Sequence, residues 1–157
     1  MVGEPKFEEL WQKYKALGGE FKEFKKLNLK PEIGVEIKYE KKITEVDLHM
    51  FGLVSGDLQP LHFDEEYASK TRFKGRVAHG MLTTSLVSAP FAMLEGTVIL
   101  LESHFKYLAP VRIGDTVLVK CVISEKDEKG RFKSNVECYV GEKKVVDGWV
   151  KFLVDSD

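Results

Sequence analysis

Asp57 and His62 stand five residues apart in the stretch Ser55-Gly56-Asp57-Leu58-Gln59-Pro60-Leu61-His62-Phe63-Asp64, and Val77-Ala78-His79-Gly80-Met81 follows shortly after. A carboxylate and an imidazole displayed on a turn-forming segment make an acid/base pair that takes a proton from one atom and returns it to another. Gly80 then opens a long uncharged run. A backbone N–H at the positive end of a helix suits an oxygen on which negative charge develops, so the three residues together point to proton-shuttling chemistry on a carbonyl compound. Spacing alone does not separate this from a capping carboxylate and a surface imidazole beside a proline turn.

The elements around these residues follow from apolar periodicity. Between residues 6 and 27, Phe7, Leu10, Trp11, Tyr14, Leu17, Phe21, Phe24 and Leu27 recur at spacings of three and four, as in an amphipathic helix that Gly18-Gly19 breaks or kinks. From Val35 to Ile43, Val, Ile and Tyr alternate with Lys and Glu, which reads as a strand with one solvated face. Thr44, with Asp47 three residues on, is a candidate N-cap for a short helix ending near Gly56, which leaves the Asp57/His62 segment on a loop. Gly80 to about Leu94 carries no charge, so it is expected to be a central helix surrounded by protein, kinked or ended at Pro90.

Four strand-like runs follow, at about 97–109, 115–125, 131–140 and 143–154, the last two separations being hairpin-like. A largely antiparallel sheet curled around one buried helix is an α+β architecture. Residues 1–30 form an N-terminal helical extension and 31–157 the domain proper.

With 157 residues the chain suits one domain with a substantial core. A net charge of −1, with 31% charged residues of both signs, gives no electrostatic reason to expect nucleic acid or a membrane surface, so a small-molecule partner is expected. Two cysteines in strand-like contexts, Cys121 and Cys138, and a start without a basic then apolar segment suggest reduced thiols and a cytoplasmic protein.

The block from Ser55 to Ser88 resembles the MaoC-like dehydratases and (R)-specific enoyl-CoA hydratases. The match lies in Asp57, Gln59, Pro60, His62 and Asp64, in His79-Gly80-Met81, and in the turn Pro110-Val-Arg-Ile-Gly-Asp115. The resemblance implies a hot dog fold and the reversible hydration of a trans-2-enoyl thioester to the (R)-3-hydroxyacyl thioester, with no metal or redox cofactor. Asp57 matches the family's catalytic Asp, which takes the water proton. His62 matches the catalytic His, which holds the water and exchanges the proton with C2. Gly80 would bind the thioester carbonyl. Gln59, where many members have Asn, and Ser88 would support the pair, while His79 reads as a structural hydrogen-bonding group. Leu86, Phe91 and Met93 would line the acyl pocket. Implied partners are acyl-CoA, or an acyl carrier protein, and a second copy of the chain in a homodimer or higher oligomer.

The remaining polar residues have plainer readings. Asp64 is sufficiently explained as an N-cap. His49 and His104 are expected to be partly buried with their hydrogen bonds satisfied. Asp57, His62, Asp64 and His79 include suitable ligand types for a metal, yet no His-x-x-x-His helix or cysteine pair fixes a geometry. Lys74, Lys106 and Arg112 are candidates for the phosphates of a coenzyme A or carrier arm. Competing readings are a 3-hydroxyacyl-carrier-protein dehydratase, a dehydratase for a specialised hydroxyacyl-CoA, a thioesterase on the same fold, and a catalytically silent acyl-CoA-binding protein.

Overall fold

Alternating apolar and polar residues build the sheet. A computed structural model describes residues 5–21 and 25–155, and in it the side chains of β3 (Thr116–Lys126) alternate strictly, with Val117, Val119, Cys121 and Ile123 buried. The elements run α1 (Pro5–Ala16), β1 (Glu36–Lys42), α2 (Glu45–Ser55), α3 (Pro60–Phe63), α4 (Glu65–Ser69), α5 (Gly80–Ser85), α6 (Ser88–Ala92), β2 (Thr97–Tyr107), β3, β4 (Phe132–Val140) and β5 (Lys143–Asp155). All pairings are antiparallel, in the order β1-β3-β4-β5-β2. Register shifts at Leu100/Glu102, Ile123/Glu125 and Cys138/Tyr139 supply the bulges that bend long strands. The result is the curled sheet of a hot dog fold.

The inner face closes on α5 and α6. Leu82, Val87, Phe91 and Leu94 join Ile37, Val136, Val150 and Phe152 in one buried cluster, with the Phe91 and Phe152 rings 5.0 Å apart. Cys121 and Cys138 belong to that core as free thiols, and burial pushes the Cys138 thiol up to about 12.

The uncharged run is two short helices and not the single helix expected, and the break precedes Pro90 instead of falling on it. A proline removes the N–H that would bond the carbonyl four residues back and crowds that carbonyl, here Leu86. The Leu86 carbonyl instead accepts from the Ala89 N–H at 3.2 Å, and the chain turns at Leu86-Val87.

The N-terminal helix is shorter than its periodicity suggests. It ends at Ala16, and the chain reverses at Gly18, whose φ of 95° suits a residue without a Cβ. The reversal brings Phe21 edge-on to Trp11, with ring centroids 5.8 Å apart. Residues 25–30 are not helical, and Phe24 lies outside the described residues.

A polar knot fixes α1 to the fold. Asp47 in the first turn of α2 is buried, and its Oδ1 accepts from the Tyr14 hydroxyl at 2.5 Å. Its Oδ2 accepts from Lys41 Nζ at 2.8 Å and from the N–H and hydroxyl of Thr44, both at 2.7 Å. The Thr44 N–H bond is the returning half of the expected capping box. Among the described residues no helix is long and apolar enough to cross a membrane.

Candidate active site

The Asp57/His62 segment is held by the ends of two helices. Gly56 closes α2 in the left-handed region, φ 78°, with its N–H on the Gly52 carbonyl at 2.9 Å. Ser55 Oγ donates to the Phe51 carbonyl at 2.7 Å and accepts from the Asp57 N–H at 3.1 Å. Asp57 Oδ1 accepts from the Gln59 N–H at 3.2 Å, a local turn that aims the carboxylate. Pro60 then starts α3, where its missing N–H leaves no intrahelical bond unmade.

His62 is anchored at ring and backbone. Its Nδ1 lies 2.7 Å from the Val77 carbonyl, which only accepts, so Nδ1 carries the proton and the Nε2 lone pair is free. Arg76 Nε donates to the His62 carbonyl at 2.8 Å, and the same guanidinium pairs with Glu45 at 2.7 Å. His62 Nε2 lies 4.0 Å from Asp57 Oδ2, with the Asp57 side chain 46% exposed. That separation is too long for a direct hydrogen bond and leaves room for one small molecule between the two groups.

His79 underlies both. Its Nε2–H donates to the Asp57 carbonyl at 3.0 Å, and its ring stacks on His62 with centroids 3.7 Å apart. Phe51 and Phe63 close around it, and Nδ1 is buried without a hydrogen-bond partner among the described residues. Burial first, and the adjacent His62 second, hold the His79 imidazole below its ordinary range, against the opposing pull of the Asp57 contacts, so it is neutral at neutral pH.

A cavity of about 620 Å³ borders this group at His62, with the buried Val77, Ala78 and Thr83 and the exposed Gly80 also in its lining. Gly80 is the first residue of α5, so its N–H has no acceptor within the helix. The Tyr107 ring lies against it: a Cβ at Gly80 would stand 2.9 Å from Tyr107 Cε1. The Tyr107 hydroxyl is 3.3 Å from Thr84 Oγ1.

Asp57, His62, His79 and Gly80 thus converge, whereas other expected site residues do not. Phe91 is 2% exposed and packs in the sheet core; Leu86 and Met93 rest against that core, and none of the three lines the cavity. Ser88 is exposed at the start of α6, and Thr83, on the first turn of α5, faces the cavity instead. Gln59 contributes its backbone N–H, and its side chain is exposed. Asp64 caps α4 by accepting from the Tyr67 N–H at 3.0 Å. His49 and His104 are exposed and not partly buried; His104 lies flat on Trp149. Lys106 sits with His104, Glu137, Lys144 and Trp149 around a separate depression, away from the cavity.

Sequence reasoning missed Thr83, Tyr107 and Arg72. Thr83 was within reach, because three residues after Gly80 is the same helix face. Tyr107 arrives from a remote segment and carries no local signal; Arg72, also in the cavity lining, is one of several basic residues in the loop that leads to Val77.

Asp57, His62 and His79 offer ligand atoms within 4.8 Å of one another. The two imidazoles are stacked at 27°, and one nitrogen of each, His62 Nδ1 and His79 Nε2, is already bonded to a backbone carbonyl.

The MaoC like domain model matches residues 27–146. The chain belongs to the MaoC-like dehydratase family. Among its relatives is an (R)-specific enoyl-CoA hydratase of Rhodospirillum rubrum, 36% identical over 126 residues, covering 78% of this chain and 88% of that one. A 3-hydroxybutyryl-CoA dehydratase of Methylorubrum extorquens is 36% identical over 120 residues, covering 74% and 76%. A solved structure of an Archaeoglobus fulgidus protein superposes with a TM-score of 0.91 at 53% identity, over 96% of each chain. The MaoC-like match includes every residue of the convergent group, while α1 precedes it.

Proposed function

We propose that the protein is a hydro-lyase that reversibly adds water to trans-2-enoyl-CoA, giving (R)-3-hydroxyacyl-CoA. The observation that carries this reading is the Asp57/His62 pair, 4.0 Å apart, with His62 and Gly80 lining one cavity. The named activities of the hydratase and dehydratase relatives support it.

A water seated about 2.8 Å from both Asp57 Oδ2 and His62 Nε2 donates one hydrogen to each and presents its lone pairs to the substrate. As its oxygen bonds to C3, Asp57 takes a proton and the C2=C3 π pair moves toward C2 and the thioester oxygen. The Gly80 N–H stabilises the charge gathering there. The proton passes within the pair and returns to C2 through His62, so one water is consumed and both residues end as they began. No electrons are transferred, and the reaction calls for no redox cofactor. His79, neutral beneath His62, adds no competing charge.

The working unit is a homodimer or a higher homo-oligomer. β2 is an edge strand with Ile99, Leu100 and Leu101 exposed, and such an apolar edge is normally covered by another chain.

The test is loss of enoyl ultraviolet absorbance when purified protein meets crotonyl-CoA, with the product's chirality determined. Formation of the (R)-3-hydroxy product supports the proposal, and formation of the (S) product or release of free thiol contradicts it. Turnover of the carrier-protein thioester alone would move the substrate assignment to an acyl carrier protein.

A further inference from the structure

The exposed end of the cavity is cationic, in contrast to its apolar walls. Arg72 and Arg112 line it beside Leu61, Phe73, Leu108 and Pro110. The loop after α4 reads Lys70-Thr-Arg72-Phe-Lys74-Gly-Arg76. Lys70 is neutralised by Glu66 at 2.7 Å and Arg76 by Glu45 at 2.7 Å. Arg72 and Arg112 form no ion pair among the described residues.

Arg112 is held in place by uncharged groups. Its Nη2 donates to the Phe73 carbonyl at 2.6 Å and its Nη1 to the Arg76 carbonyl at 3.1 Å, which clamps the loop over the cavity. Carbonyls orient a guanidinium without cancelling its charge. Two carboxylates lie nearby without forming an ion pair to the guanidinium: Glu65 Oε2 accepts from the Arg76 N–H at 3.3 Å, and Asp115 Oδ2 from the Arg112 N–H at 2.8 Å.

A largely apolar cavity with the buried His62 in its lining and two exposed guanidinium groups that form no ion pair among the described residues fits a ligand of matching polarity. The acyl group and carbonyl go in, and an anion remains outside. We propose that Arg72 and Arg112 bind the phosphate of the pantetheine arm that carries the acyl thioester. This deepens the hydration reading, on which the identity of the acyl ligand rests. The shared chemistry is a phosphate ester on pantetheine, whether it belongs to coenzyme A or to a carrier protein's phosphopantetheine. Of the three basic residues suggested from the sequence, only Arg112 lines this cavity; Lys74 is exposed on the same loop, and Lys106 lies at the separate depression.

The experiment compares Arg72→Gln with the unmodified protein on two thioesters, crotonyl-CoA and crotonyl-N-acetylcysteamine, the second having no phosphate. Arg72 is chosen because removing Arg112 would also free the loop. KM for crotonyl-CoA is expected to rise about five- to tenfold, with kcat unchanged and the truncated thioester altered less than about twofold, consistent with loss of one charge-assisted contact. Arg72→Lys should recover part of the loss.

Calorimetric titration with CoA, 4′-phosphopantetheine and pantetheine reads the same site without turnover. Weakening of 4′-phosphopantetheine and CoA together assigns the pantetheine phosphate. Equal effects on both thioesters, no effect on either, or weakening of pantetheine as much as CoA would each overturn the proposal. A protein that hydrates nothing yet binds CoA through Arg72 would refute the hydration reading and leave this subsite standing.

Discussion

Replacing Asp57 by Asn should separate catalysis from folding. The change keeps the side chain's size and its acceptor for the Gln59 N–H, a bond of 3.2 Å that a neutral amide oxygen makes as well as a carboxylate. Asp57 Oδ2 is 4.0 Å from His62 Nε2 and the side chain is 46% exposed, so little native-state energy is tied up in the pair. A contact this long to a half-exposed carboxylate contributes no more than an exposed ion pair, about 0–1 kcal/mol, which for a domain of this size is a Tm change of no more than about 2–4 °C. The catalytic loss is of another order. Removing a positioned general base lowers kcat by about 10²–10⁴, equivalent to roughly 3–5 kcal/mol of barrier at 1.36 kcal/mol per decade. The assay is steady-state hydration of crotonyl-CoA beside a thermal melt on the same preparation. Because one water serves both groups, the double variant with His62→Gln should lose scarcely more than the worse single variant. A kcat within tenfold of the unmodified protein, or losses that multiply, would refute the shared-water mechanism.

Two further perturbations probe the surroundings. Gly80→Val places a branched side chain where a Cβ already lies 2.9 Å from the half-exposed Tyr107 ring. Tyr107 has solvent to swing into, so the variant should fold, while kcat/KM for crotonyl-CoA falls by about 10²-fold or more, the scale of a lost oxyanion contact; near-normal kinetics would remove Gly80 from the carbonyl site. At Asp47, burial works to raise the carboxyl, but the bonds from Lys41, Tyr14 and Thr44 outweigh it and hold it below the usual carboxylate range. A lowered folded-state value means its stabilisation is complete above the unfolded value of ~3.9 and is lost as pH falls through the folded one. Asp47→Asn should therefore cost about 3 kcal/mol in urea unfolding at pH 7, since Lys41 is left buried without its partner, and the difference should shrink toward low pH. A difference that stays constant from pH 7 to acid would contradict the assignment.

The sheet was largely legible because its signals are local. Strand alternation and the turns at Gly114, Gly130 and Gly141 set β3, β4 and β5 to within a residue or two, and Thr44 with Asp47 marked the start of α2. Helix ends were less so. Gly18 stops α1 well before the apolar periodicity does, and Pro90 acts four residues upstream of itself, at Leu86. The Asp57/His62 pair and Gly80 were readable as a motif. The cavity wall was not: Leu86, Phe91 and Met93 are apolar on a central helix, a pattern identical for residues that face a sheet core and residues that face a ligand. Tyr107 reaches the cavity only through tertiary folding, and nothing in the sequence separates Arg72 from Lys70 and Arg76, which Glu66 and Glu45 pair in the folded protein.

The central claim is that one carboxylate/imidazole pair handles both the oxygen and the proton from a single side of the substrate. Hydration of crotonyl-CoA in D₂O, with the relative configuration at C2 and C3 read by proton NMR of the isolated 3-hydroxybutyryl product, tests it most directly. Delivery of hydroxyl and deuterium to the same face is the predicted result; addition to opposite faces would require a second acid across the cavity and would contradict the account.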